Sequence, residues 1–126
     1  MALDLSVFTK NSIRFGHPAF STLYLTDGVR HVGEQADAWW LLDHIGKCYL
    51  NYVESAKLGL YVPPDRNVFQ VWKITYFEEE FNMCIELYTK DDELLWTKWV
   101  DDIDGFPITE LTIWITDNVL LLPSEW

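Results

Sequence analysis

Positive charge is scarce in this chain. Nine Lys and Arg stand against twenty Asp and Glu in 126 residues, a net charge of −11. A field of that sign repels nucleic acid and anionic membranes and speeds encounter with basic partners, so direct DNA or RNA binding is not expected. Cysteine is scarcer still: Cys48 and Cys84 stand at no metal-ligand spacing. They read as buried free thiols, with a disulfide or a metal site as the alternatives. Long apolar runs are missing too, since Ala38 to Leu42 and Val119 to Leu122 fall far short of the roughly twenty residues that span a bilayer. The opening MALDLSVFTK carries Asp4 where a signal peptide would have its positive end, so nothing there directs export. A soluble, cytoplasmic protein is the expectation.

Aromatic residues, by contrast, are abundant. They make up 16 % of the chain within a hydrophobic fraction of 49 %, enough to offset ordering entropy by burial in one globular domain over residues 1–126. The acids are also unevenly placed. Residues 1–77 hold seven acids and seven bases, whereas residues 78–126 hold thirteen acids against Lys90 and Lys98, so the whole excess lies in the C-terminal part.

Hydrophobic periodicity divides the chain in the same place. Residues 1–18 read as a short helix or an arm, and Phe20 to Leu25 as a short strand. Thr26 or Asp27 can cap a first short helix, which Gly33 weakens near its end. Ala38, Leu41, Leu42, Ile45, Cys48, Tyr49 and Tyr52 follow helical spacing, predicting a longer helix from about Ala36 to Tyr52 with one wide apolar stripe. Leu58 to Asn67, with Gly59, Pro63 and Pro64, is a connection. From there the period changes to two: Val68–Phe77, Phe81–Thr89, Leu94–Val100, Leu111–Thr116 and Val119–Leu122 read as strands joined by short links. The expected fold is α+β, a five-stranded antiparallel meander with the N-terminal helices packed on one face.

In a meander, alternate turns fall at the same end of the sheet. Glu78, Glu79 and Glu80 should therefore lie beside Asp101, Asp102 and Asp104, with Asp91, Asp92, Glu93 and Asp117 at the other end. Polar turns that keep a protein soluble and its strand edges apart are one explanation. Six like charges with no compensating base nevertheless repel one another, a cost that neutral turn residues avoid. The strands are also apolar on both sides: Val68, Trp72, Ile74 and Tyr76 share one face, Phe69, Val71 and Phe77 the other, and Trp96 and Trp99 project oppositely. Either the N-terminal segments wrap both faces or one face is an interface.

Catalytic signatures are not found. His17, His31 and His44 are too far apart for a helical metal-ligand pair, and the chain holds no P-loop, no GxGxxG and no GxSxG. Asp43 and His44 are adjacent, but neighbours on a helix point about 100° apart and cannot form a dyad. Turn carboxylates in water lack the apolar surroundings that raise a pKa for acid catalysis. No enzymatic activity and no cofactor or metal are expected.

The stretches LYLTDGVRHVGEQADAWWLLDHIG, VFQVWKI and NVLLLPSEW resemble a family of small bacterial, phage and plasmid proteins catalogued as a domain of unknown function (family 6876). The resemblance covers about residues 20–126. It rests on Thr26, Asp27, Gly28, Val29, Ala38, Trp40, Leu41, Asp43, Ile45, Phe69, Gln70, Val71, Trp72, Leu122, Pro123, Ser124 and Glu125. What it implies is a mobile-element context and a shared fold. Its polar positions Asp27 and Asp43, like Glu34 between them, read as a helix cap and solvated helix acids.

Three functions are open at this level. The first is an acidic interaction protein of a mobile element that binds and blocks a basic nucleic-acid-binding surface of a bacterial protein or ribonucleoprotein, an anti-CRISPR-like inhibitor mimicking DNA. In it Glu78, Glu79, Glu80, Asp101, Asp102 and Asp104 would pair with Arg and Lys, while Trp99 and Phe106 supply desolvated anchors. The second is a small ligand-binding domain or enzyme with a pocket lined by Trp40, His44, Trp72 and Tyr76. The third is a homodimer formed through the second apolar sheet face.

Overall fold

A computed structural model describes residues 3–9, 13–57 and 69–126. In chain order these form β1 (Arg14–Gly16), β2 (Tyr24–Thr26), α1 (Asp27–Gln35), α2 (Trp39–Lys57), β3 (Gln70–Phe77), β4 (Asn82–Thr89), β5 (Leu94–Val100), β6 (Glu110–Thr116) and β7 (Val119–Leu121). Glu78–Glu80 and Pro123–Glu125 are single 3-10 turns. The connection expected at Leu58 to Asn67 lies outside the described residues.

The fold class is α+β as expected, but the five-stranded antiparallel meander is corrected to one mixed sheet of seven strands, in the order β1-β2-β7-β6-β3-β4-β5. Two physical reasons account for the difference. First, β6 pairs with β3 and not with β5, because residues 101–109 are long enough to cross the ends of β4 and β3, a span of roughly 14 Å at ordinary strand spacing. Second, β1 and β2 have three residues each, too few to show a period of two, and β2 runs parallel to β7. Residues around Arg14 are thus strand where a helix or arm was expected.

Register sorts the side chains. Ile113, Trp72, Leu87 and Trp96 form one row across β6, β3, β4 and β5, and Leu111, Ile74, Ile85 and Lys98 form the next. These rows face Val29, Val32, Leu41, Leu42 and Ile45 of the helices, in one core. Trp72 is fully buried, and its indole N–H donates to the buried Gln70 side chain at 3.1 Å. Two residues apart on a strand means the same face, so Gln70 and Trp72 operate as a pair. The opposite face carries a polar belt, Thr112, Lys73, Glu86 and Thr97, between two aromatic groups. One group stacks Phe77 on Trp99 at 5.6 Å; the other joins Phe69, Trp114 and Trp126 at 5.3–6.0 Å. Aromatics on both sides of the strands reflect these end clusters, not a second continuous core.

The chain ends are tied by a buried carboxylate. Glu125 accepts the Thr26 hydroxyl at 2.6 Å and the Leu122 N–H at 3.0 Å on Oε1, and the Gly28 N–H at 3.0 Å on Oε2. Thr26 is the N-cap of α1 without a side-chain cap bond of its own, so the acceptor at this helix start comes from the far end of the sequence. Gly28 has to be glycine for this approach: a Cβ there would lie 2.5 Å from Leu122 Cδ1 and 2.6 Å from Glu125 Oε1.

Two stability predictions follow from these contacts. Trp72→Ala should cost about 3–5 kcal/mol in denaturant unfolding, and a near-native midpoint would show the core to be elsewhere. Glu125→Ala leaves three donors without an acceptor and should cost about 2–4 kcal/mol. Glu125→Gln should not rescue, because in either orientation its amide nitrogen would face a backbone N–H, that of Leu122 or that of Gly28; rescue by Gln would remove the three-donor account.

Candidate protein-binding site

The β3–β4 hairpin closes through Glu78–Glu80, and the chain then turns at Phe81, whose φ of 54° is in the left-handed region. After β5 the chain does not leave this end of the sheet. Ile103 N–H donates to the Phe81 carbonyl at 2.8 Å, which lays Asp101, Asp102 and Asp104 alongside the Glu78–Glu80 turn. Ile103 packs toward the core while its acidic neighbours are exposed. A core side chain holds this loop: the Tyr76 hydroxyl donates to the Ile103 carbonyl at 2.8 Å and accepts the Gly105 N–H at 3.1 Å. All six acids expected at one end are thus together and exposed, and among the described residues none of them forms an ion pair.

The aromatic anchors need one correction. Phe106 is buried against Tyr76, at 5.8 Å between ring centroids, and belongs to the core. Trp99 is 56 % exposed, and it stacks on Phe77 beside the acidic turn, where Phe81 is 52 % exposed. The aromatic surface at this end is therefore Trp99, Phe77 and Phe81. Phe77 and Phe81 were missed because the strand pattern alone does not say which face the helices cover. A shallow groove of about 350 Å³ adjoins, lined by Tyr76, Glu78, Phe106, Pro107 and Ile108 among others.

Backbone geometry separates the acids into two kinds. Asp37, Asp92, Asp102 and Asp117 adopt positive φ, between 49° and 63°, where Asp and Asn are tolerated better than other side chains. Asn would serve those turns equally well, so the backbone accounts for the residue shape and not for the charge. Glu78, Glu79, Glu80, Asp101 and Asp104 have no such backbone reason.

The residues named for the alternative pocket between helix and sheet are differently placed. Trp40 is 40 % exposed, Trp72 is core, and the Tyr76 hydroxyl is engaged by the loop. His44 lies against Trp96 and Trp72, 5.5 and 6.1 Å between centroids, and 4.0 Å from the Cys48 sulfur. Burial, helped by Lys98 and Lys47, holds the His44 pKa below its ordinary value, while burial pushes the Cys48 thiol up. Both shifts favour the neutral forms, the reverse of an activated thiolate–imidazolium couple. Cys48 and Cys84 are free, and no group of three or more metal-ligating side chains occurs among the described residues. Glu34 pairs with Arg30 at 2.9 Å, and Asp43 lies 3.8 Å from the His17 Nε2. A cleft of about 380 Å³ near the chain end is lined by Arg14, Thr26, Asp117, Glu125 and Trp126, among others, a mixture with no reactive pairing.

The cap at Thr26 and Gly28, the Gln70–Trp72 pair and the Glu125 anchor lie in the stretches that carried the family resemblance. The chain matches the model of the Family of unknown function (DUF6876) over residues 1–126. It belongs to that family. No curated protein and no solved structure matches it. Membership extends over the whole length, beyond the residues 20–126 that the motifs alone covered. Among the described residues, no helix of this DUF6876 member is long and apolar enough to cross a membrane.

Because Tyr76 holds the acidic loop from the core side, Tyr76→Phe should leave the fold intact and loosen residues 101–105. The expected loss is about 1–2 kcal/mol, with faster amide exchange at Ile103 and Gly105. Unchanged exchange at both amides would mean that the hydroxyl does not position the loop.

Proposed function

We propose that this protein is an interaction module that docks its acidic sheet end onto a basic, nucleic-acid-binding surface of another protein. The observation that supports this reading is the Ile103–Phe81 backbone bond, which brings two acidic segments more than twenty residues apart into one surface around Trp99, Phe77 and Phe81. Carboxylates spaced along two adjoining turns match the Arg and Lys that otherwise hold phosphates, and the exposed rings supply apolar contact that charge alone does not. The partner class this favours is a basic bacterial protein or ribonucleoprotein, including the nucleic-acid-binding complexes of CRISPR-type defence, and the outcome of docking is inhibition by occupying the phosphate sites. No catalytic role is assigned.

The test is charge removal without change of shape. A variant carrying Glu78→Gln, Glu79→Gln, Glu80→Gln, Asp101→Asn and Asp102→Asn keeps the turn geometry, since Asn tolerates the positive φ of Asp102. A partner is captured from a bacterial lysate at low salt and released at high salt. Its association with the variant should slow by an order of magnitude or more, with a flatter salt dependence and a melting temperature equal to or slightly above that of the unmutated protein. Equal association rates would reduce the acids to a solubility device and end the mimicry reading.

A further inference from the structure

β5 is an edge strand, and it is exposed along nearly its whole length. Among the described residues its outer side has no strand partner, so alternate N–H and C=O groups point outward unpaired. Proteins usually blunt such an edge. Here two features do so in part: Leu95 is an extra residue opposite the Leu87/Tyr88 step, a bulge, and Lys98 projects from the strand on the helix side. The regular stretch left is Trp96–Val100, flanked by Leu94 and carrying Trp99.

The charges at its two ends decide what can pair there. Asp91, Asp92 and Glu93 precede the strand, and Asp101, Asp102 and Asp104 follow it. A second copy pairing antiparallel about Thr97 would put Glu93 opposite Asp101 and Asp92 opposite Asp102, acid against acid at both ends. That arrangement is repelled. A strand with the opposite pattern, apolar and β-branched in the middle with Lys or Arg at both ends, meets complementary charge at both ends.

Resting on the reading of the site as a docking surface for basic partners, we propose that the segment it receives is an extended one of that pattern, added to β5 as an eighth strand. Backbone bonds to Trp96–Val100 supply the affinity, alternate side chains meet Trp99 and Leu94 on one face and Trp96 on the other, and the acidic ends set which sequences are admitted. The acidic turn and the edge are then one continuous surface, since Asp101 follows directly on Val100.

The probe is a synthetic peptide, acetyl-Lys-Arg-Thr-Val-Thr-Val-Thr-Val-Thr-Lys-Arg-amide, compared with the same peptide N-methylated at alternate central residues and with an oligolysine of equal length. Affinity is read by titration, and the contact by amide hydrogen exchange of the full chain. The expected result is that N-methylation weakens the peptide tenfold or more, that oligolysine is weaker still, and that exchange slows at outward amides of Trp96–Val100. Equal binding of the three probes, with no protection on β5, overturns strand addition while leaving the acidic docking surface in place. Failure of all three to bind at low salt overturns both. A protein that is already dimeric alone, with β5 amides protected before peptide is added, shows the edge to be occupied by its own copy and overturns the proposal.

Discussion

The carboxylate of Glu125 is the constraint on which the arrangement of the chain depends. It gathers a hydroxyl and two backbone N–H groups from segments nearly a hundred residues apart in sequence, and so fixes the start of α1 against the end of β7. The parallel β2–β7 pairing lies beside this anchor, closing the N-terminal strands onto the sheet. With α1 started there, its apolar residues Val29 and Val32 meet the core, and α2 follows over Trp72. A buried carboxylate is expensive unless its oxygens are satisfied, and here every named contact is a donor. The same close approach leaves no room for a Cβ on residue 28.

A second tie, weaker and more local, runs from the core to the acidic surface. Tyr76 sits in the same strand face as Trp72 and Ile74, and its hydroxyl reaches out to the loop that carries Asp101, Asp102 and Asp104. Asp101, Asp102 and Asp104 are therefore carried on a loop tied by hydrogen bonds to Tyr76 and Phe81. This matters for recognition, because a preorganised set of charges loses less conformational freedom on binding than a mobile one. The same loop is also the crossover that makes β6 pair with β3, so topology and surface share one segment.

Much of this was legible in residue order. The long helix, five of the strands, the burial of Trp72 and the meeting of Glu78–Glu80 with Asp101–Asp104 all come from apolar period and turn composition. The meander failed where period carries no information: a crossover and a hairpin link look alike in composition, and only the length of residues 101–109 distinguishes them. β1 and β2 are too short to alternate. Phe106 is core where a surface anchor was expected for a related reason, since an aromatic beside a Gly can face either way until the register of β3 and β4 is known. Glu125 was named only as a matching residue, and its buried role was missed because its donors Thr26 and Gly28 lie nearly a hundred residues away in sequence.

The acids of the opposite sheet end offer a partial comparison. Asp92 and Asp117 occupy positive φ and Asp92 has Lys73 at 3.8 Å, so one charge there has a neighbouring cation, while Asp91 and Glu93 have neither feature among the described residues. At the Glu78–Asp104 end only Asp102 has a backbone reason, and no ion pair forms there among the described residues. Two exposed charges about 8 Å apart in water repel by roughly 0.5 kcal/mol, so a six-membered cluster is tolerable to a domain whose core lies elsewhere, yet it is not without cost. Solubility requires negative charge somewhere on the molecule. It does not require the uncompensated charge to be gathered around the most exposed tryptophan of the sheet and the open end of its edge strand, and that coincidence is what a solvent-facing role leaves unexplained and a docking role accounts for.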